Sequence, residues 1–507
     1  MTNLVTVSLA FYFRIYFTRQ VGAEGMGLFQ LVFPLYALLI TLASGGITTA
    51  LSKVIAEFQV RGDQASIAKT VRVSFALIGF WSVGLCTLVL WQAEFLAGTV
   101  LRDSRVLLPL LALVPAIFFL SVSAIFRGYF FGIHAVTIPA TIDILEKMVR
   151  LAGLILITER LLPMGIAFAV AGAMAATTAG EVVSTILLFL CYRLRSSSGR
   201  LQRGGGTGAS TDLRNAASAR TILTRILSLA LPLALGGALA TILDLISAMM
   251  VPARLQMSGL DGTTALSLYG QLSGMVMPLV HYPGIFVFSL TTTLIPAITR
   301  SHASGNRAAL SKKCQDSLTI AWSFGLLATV FCLSYPQELC RVLFRDPSAG
   351  SFLFWTGLGC AFHYLESIQL AIMNGVGLQI KVLWNTILHI LINVGCMYFL
   401  IPIPGVGIYG YIAGFLASGV LMVLWNMRIL SRLEFFRVSY ARMLAGPLMP
   451  FVIMYLAVNF LNHWFLSLDL TYNMILSGFL GLVSFVYSLV QAGVFRWDQI
   501  KKTLLFR

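Results

Sequence analysis

A chain of 507 residues that is 58% hydrophobic and only 11% charged, with a mean hydropathy of +0.88, carries too little charge to be a soluble globular protein of its size. Apolar runs of about 20 residues recur without period-2 alternation, which predicts membrane-spanning helices rather than an outer-membrane barrel. The net charge of +16 follows from where the basic residues lie, so no nucleic-acid partner need be invoked.

In chain order the apolar segments cover 2–18, 27–51, 72–92, 106–126, 137–158, 164–192, 226–251, 268–298, 316–335, 351–374, 382–402, 408–430, 441–461 and 472–495, fourteen spans in all. The opening MTNLVTVSLAFYF could pass for a signal segment. No basic residue precedes it, no A-x-A site follows and Arg14 interrupts it, so it reads as a short first span. An even count places both termini on one side. Twenty-five Lys and Arg fall on that side, against seven in the opposite loops (Arg19, Arg102, Arg105, Arg160, Arg254, Arg341 and Arg345). This asymmetry places both termini in the cytoplasm of a multi-pass cell-membrane protein.

The longest polar stretch, RLRSSSGRLQRGGGTGASTDLRNAASAR at 193–220, is expected to be a flexible cytoplasmic linker. It divides the chain into a bundle over 1–192, a linker over 193–225, a second bundle over 226–431, and two further spans with a tail over 432–507. The halves echo each other. GLFQLVFPLYALLITLASGGITTALSKVIAEFQVRGD in the first matches LYGQLSGMVMPLVHYPGIFVFSLTTTLIPAITRSHASGN in the second, and RGYFFGIHAVTIPATIDIL matches MNGVGLQIKVLWNTILHIL. The expected fold is therefore all-α and membrane-embedded, with two six-helix bundles in parallel repeat plus two C-terminal helices, a common plan for transporters.

The fifth span is unusual in carrying Asp143, Glu146, Lys147 and Arg150. Charge at membrane depth is expensive. At about 100° per residue the four share one arc of roughly 100°, opposite the apolar Ile142, Leu145 and Val149. Two i,i+4 pairs are expected, Asp143 with Lys147 and Glu146 with Arg150, each with the acid N-terminal to its base. Such a stripe cannot face lipid. It either holds its bundle together by internal pairing or lines a polar cavity.

Elsewhere, Arg14 lies within the first span and Arg19 at its end. Glu181 and Asp244 sit in apolar helices without nearby partners in sequence. They are candidates for coupling to Na⁺ or H⁺, with cross-helix hydrogen bonding as the alternative. His363, Glu366 and Gln369 recur on the tenth span, and Asn385, His389 and Asn393 form a polar face on the eleventh. That face is expected to line a cavity or to bond to neighbouring helices. The seven cysteines show no metal-type spacing and read as small core residues, and no cofactor is expected. GVGIYG at 405–410 matches G-x-G-x-x-G but follows no strand, and no phosphate-binding loop occurs.

Several segments resemble one family: GAEGMGLFQLVFPLYALL (22–39), TALSKVIAE (49–57), RGYFFGIHAVTIPATIDILEKMVR (127–150), LDLISAMMVPARLQMSG (243–259) and LYGQLSGMVMPLVHYPG (268–284). They are similar to the stage V sporulation protein B group, in the polysaccharide-biosynthesis branch of the multidrug/oligosaccharidyl-lipid/polysaccharide (MOP) flippase superfamily. The resemblance covers nearly the whole chain in motif order. It implies a bacterial protein that flips an undecaprenyl-diphosphate-linked saccharide, such as a peptidoglycan precursor, towards the outer leaflet. R-Q-V-G-A at 19–23 resembles a pattern in more distant lipid II flippases, whose arginine faces the cavity, and that role is implied for Arg19. Phe131, Asp143 and His281 depart from the group's pattern, and the first helix starts later than in the group, which suggests a start further upstream.

The chemistry fits that expectation. A diphosphate suits the bidentate fork of arginine. The predicted substrate-binding set is Arg14, Arg19, Asp143, Glu146, Lys147, Arg150, Asn385 and His389, with lipid-linked saccharide and membrane lipids as partners and the oligomeric state open. Rival readings are a drug or cation antiporter of the same superfamily, a membrane glycosyltransferase or polymerase, and a non-transporting scaffold. The enzyme would need a catalytic acid outside the spans, where Asp103, Asp261, Asp346 and Asp469 are the chief candidates.

Overall fold

The computed structural model describes residues 2–201, 218–434, 436, 439, 441–465 and 469–492, and every regular element among them is helical. Two compact units emerge, Met1–Pro252 and Ala253–Arg507. Residues 202–217 of the expected linker, and the tail beyond 492, lie outside the described residues.

The first unit holds α1 (Thr2–Ser44), α2 (Ile47–Val60), α3 (Gln64–Trp91), the single turn α4 (Ala93–Phe95), α5 (Leu107–Gly132), α6 (Thr137–Leu161), α7 (Ile166–Leu201) and most of α8 (Ala219–Met257). The unit therefore includes the seventh span, which the sequence boundary at 225 assigns to the second bundle. Although α1 is 43 residues long, it contains two spans, because Gly22 breaks it with φ 68° and ψ −168°. Only glycine enters this region at low cost. Phe29 meets Phe17 at 5.3 Å and Phe13 at 6.3 Å between ring centroids. Twelve residues of straight helix would separate Phe17 and Phe29 by about 18 Å, so α1 doubles back at Gly22 and its arms are zipped by aromatic rings.

The second unit runs through α9 (Gly262–Tyr269), a π-helical segment (Gly270–Val276), α10 (Met277–His281), α11 (Ile285–Ala303), α12 (Arg307–Ser334), α13 (Pro336–Phe344), α14 (Gly350–Gly357), α15 (Cys360–Gly375), α16 (Gln379–Leu400), α17 (Tyr409–Ser431), α18 (Gly446–Trp464) and α19 (Leu470–Gln491). Gly405 and Gly407 take positive φ in the tight turn between α16 and α17, a backbone role for the GVGIYG stretch.

Among the described residues the fourteen apolar segments fall mainly on helices, but length and apolarity alone identify ten membrane-crossing helices there, or eleven if a bent pair counts as one span. Three causes account for the difference. The first two spans merge into one run, Val5–Val60. The tenth is cut into α14 and α15 after Gly357, whose Cα sits hard against Cys332. The fifth, α6, carries the charged stripe. Spans 2 and 8, the first pair of sequence echoes, are both broken: span 2 between Ser44 and Ile47, span 8 by 58° between His281 and Ile285.

Close helix contact inside each unit depends on small residues, as expected where lipid competes with side chains for every apolar surface. On α5, Gly128 and Gly132 of the RGYFFG motif press on Leu51 and Ile55 of α2, where an added Cβ would lie 2.8 Å from each. Ile55, Ile125, Phe126 and Phe130 are buried in the resulting core. A separate cluster of Val330, Tyr335, Met454, Val458, Phe485 and Leu489 ties α18 and α19 to α12.

Candidate functional site

In the first unit α6 has one exposed face and one face packed against its neighbours. Leu145 and Met148 are 43% and 53% exposed, whereas Glu146 is 1% exposed and packs towards α7. Gly180 of α7 makes room for it: a Cβ there would stand 3.2 Å from the Glu146 carbonyl and 3.3 Å from its Oε1. The stripe thus faces inward as its helical phase requires.

Its pairing differs from the i,i+4 expectation. Asp143 does not pair with Lys147. Its Oδ1 lies 2.8 Å from Arg127 Nη1 of α5, while Lys147 Nζ donates to Glu146 Oε2 at 2.6 Å. The expected Glu146–Arg150 contact is present at 3.3 Å, and Arg150 Nη2 also reaches Glu181 Oε1 of α7 at 3.4 Å. Burial explains the exchange. Glu146 is the deepest carboxylate and takes two cations, because a buried charge must be compensated. Asp143, whose side chain is 31% exposed, is served by one.

Three cations and three carboxylates therefore meet across α5, α6 and α7 in two sets, the pair Arg127–Asp143 and the chain Lys147–Glu146–Arg150–Glu181. The two sets lie within electrostatic reach of each other and act as one charge network. Arg127 Nη2 also donates to Ser184 Oγ at 3.3 Å. Tyr36 of α1 lies within electrostatic reach of Glu146, Arg150 and Glu181. The network is not saturated. Arg127 Nε, Arg150 Nε, Glu181 Oε2 and the Tyr36 hydroxyl are buried without a hydrogen-bond partner among the described residues. Buried polar groups are otherwise nearly always satisfied, so such orphans need an explanation.

Two residues that looked isolated in sequence have partners here. Glu181 joins the network, and Asp244 of α8 is the electrostatic partner of Arg14 in α1. Arg127 lies one residue past the apolar segment 106–126, yet α5 continues to Gly132 and carries it inside the helix. Its place in the quoted RGYFFG motif, next to the packing glycine Gly128, was the signal available. Arg19 is exposed, three residues before the α1 reversal.

The second unit holds a different polar cluster. Glu366 of α15 faces His363 Nδ1 at 3.5 Å and His389 Nδ1 of α16 at 3.6 Å. Asn385 Nδ2 donates to Asn426 Oδ1 of α17 at 2.9 Å, and Asn393 Nδ2 to the His389 carbonyl at 2.9 Å. Gln369 donates to the Val423 carbonyl at 3.3 Å. Of the stripe, Asn385 thus reaches α17 and His389 reaches α15, while Asn393 bonds within α16.

Three of the four acids singled out outside the spans serve as helix caps, whereas Asp469 precedes α19 without a side-chain cap bond. Asp103 accepts from Arg105 N at 3.0 Å and Asp346 from Ser348 N at 3.1 Å. Asp261 accepts from the Thr263 hydroxyl and from Thr264 N, and these bonds, Thr263's foremost, hold its carboxyl below the usual carboxylate range.

Comparison with known proteins agrees with this architecture. The solved lipid II flippase MurJ in an inward closed conformation superposes with a TM-score of 0.69 at 13% identity, covering 100% of this chain and 99% of that one. An inward-facing MATE-family multidrug resistance transporter of the MOP superfamily gives 0.66 at 17% identity, over 84% and 95%. In sequence, stage V sporulation protein B of Bacillus subtilis (strain 168) is 27% identical over 430 residues, 85% of this chain and 82% of that protein. The model of the polysaccharide biosynthesis protein family matches residues 1–302. The chain belongs to that family.

Proposed function

We propose that this protein is a flippase of the MOP superfamily that carries an undecaprenyl-diphosphate-linked saccharide, such as the peptidoglycan precursor lipid II, across the cell membrane by alternating access, with both termini cytoplasmic. The observation that carries the reading is the unsaturated charge network of α5, α6 and α7. Two guanidinium N–H groups, Arg127 Nε and Arg150 Nε, are buried with no acceptor, and both belong to residues able to bind phosphate oxygens in a fork. A diphosphate would replace carboxylates as their partner while sugar hydroxyls meet the freed acids. Equal numbers of cations and carboxylates suit such an exchange better than an acid-dominated pocket for organic cations would. Within the first unit Arg14 and Arg19 add cationic groups, and Glu181 and Asp244 are the carboxylates that could exchange an arginine partner for Na⁺ or H⁺. The capping duties of Asp103, Asp261 and Asp346 support transport over a polymerase or glycosyltransferase reading.

The test is translocation of labelled lipid-linked precursor by protein reconstituted in vesicles. Arg19→Ala and Glu146→Gln are expected to abolish flipping while the protein remains inserted. Equal translocation by both variants overturns the site. Wild-type protein that moves no precursor but extrudes organic cations overturns the function.

A further inference from the structure

The cluster around Glu366 has a hydrogen-bond arithmetic that ordinary protonation does not balance. His363 Nε2 lies 3.0 Å from the Phe415 carbonyl of α17. A carbonyl only accepts, so Nε2 carries a hydrogen. In a neutral imidazole the other nitrogen, Nδ1, is then a lone pair, and here it faces Glu366 Oε2 at 3.5 Å. A lone pair against an ionised carboxylate in a 6% exposed site is repulsive on both sides. One added proton removes the conflict, either as an imidazolium beside a carboxylate or as a carboxylic acid donating to Nδ1. His389 Nδ1, 3.6 Å from Glu366 Oε1, offers a second base to the same carboxyl.

We propose that Glu366, His363 and His389 form a proton-binding site, in which one proton is held between Glu366 Oε2 and His363 Nδ1 on α15, beside the bond by which His363 Nε2 already holds α17, with His389 of α16 as the alternative acceptor. The surroundings isolate it. The His363 ring stacks on Phe415 at 4.0 Å and 25°, and His281 of α10 stands on that ring's edge with centroids 6.4 Å apart. Tyr364 turns away to the Val280 carbonyl at 2.6 Å. Small and apolar residues bring α11 and α12 onto α15, Ile298 meeting Gly375 and Gly325 meeting Ala361. A metal is a poorer occupant, since no group of three His, Cys, Asp or Glu among the described residues has the spacing to hold one. A proton taken up here and released elsewhere in the cycle would couple the second unit to a proton gradient; this coupling rests on the flippase reading, whereas the proton site does not.

The experiment uses full-length protein labelled with ¹⁵N-histidine in lipid nanodiscs, with ring nitrogens followed by NMR and the carboxyl band by infrared spectroscopy across pH. His363 is expected to keep Nε2–H throughout, and its Nδ1 signal and the carboxyl band to move together at one midpoint. Glu366→Gln should remove the band and leave His363 titrating alone. Independent titration of the two groups in wild-type protein, which needs no variant to fold, overturns the site, as does a His363 titration identical in Glu366→Gln. In vesicles, a pH dependence of flipping that is lost in Glu366→Gln supports the coupling, and one that is unchanged overturns it. If wild-type protein flips nothing at any pH, the flippase reading and the coupling fall together, while the spectra still decide the proton site.

Discussion

The helix pair α5–α6 of the first unit and the pair α15–α16 of the second share a packing device and differ in what they carry. In the first, Gly132 of α5 abuts Ile55 of α2, and Thr48 Oγ1 donates to the Ala124 carbonyl at 3.2 Å. In the second, Gly375 of α15 abuts Ile298 of α11, and Thr299 Oγ1 donates to the Gly375 carbonyl at 2.9 Å. On this common scaffold the first unit holds guanidinium, ammonium and carboxylate groups, and the second holds amides, imidazoles and one carboxylate. Arginine stays charged at any physiological pH, whereas histidine changes charge within it. The scaffold is thus separable from the chemistry mounted on it: one pair presents fixed charge, the other charge that can be switched.

Four tests press on that contrast. Glu146→Ala removes the partner of Lys147 and leaves Arg150 with Glu181 alone, and should cost about 3–5 kcal/mol. Glu366→Ala should cost less, because a histidine can shed its proton and an arginine cannot. Denaturant unfolding in mixed lipid–detergent micelles measures both, and equal losses would erase the distinction. Gly132→Leu and Gly375→Leu test the shared scaffold, and each should lose about 1–3 kcal/mol through overpacking. If only one of them responds, the packing device is not common to the two units. Exchanging Arg127 and Asp143 probes whether that contact is a simple pair. Each single reversal should destabilise, and the double exchange should recover about 1 kcal/mol in a double-mutant cycle. Asn385→Ala, which removes the bond to Asn426, should cost only about 0.6 kcal/mol in the same assay.

Sequence periodicity revealed much of this fold, because a span needs about 20 apolar residues and each one is written contiguously. It also placed Asp143, Glu146, Lys147 and Arg150 on one face, since helical phase is a local property. It did not reveal who pairs with whom. Arg127 and Glu181 come from helices before and after α6, and a cross-helix contact leaves no periodic trace. Arg14 and Asp244 lie 230 positions apart and looked solitary for the same reason. The breaks in spans 2, 8 and 10 were hidden too, because glycine-containing apolar stretches score as continuous however sharply the backbone turns.

The reversal of α1 at Gly22 bears on how the chain is built. Its two arms are joined by a single residue, and Phe13, Phe17 and Phe29 interlock them from within. With no loop to spare, neither arm can shift far without the other, so the two behave as one hairpin. The tip is then tethered by Glu24, which accepts from Arg105 at 2.5 Å while the same guanidinium holds Asp103 at 2.8 Å. The first unit is thus closed like a clasp, the hairpin tip being caught by the segment just before α5.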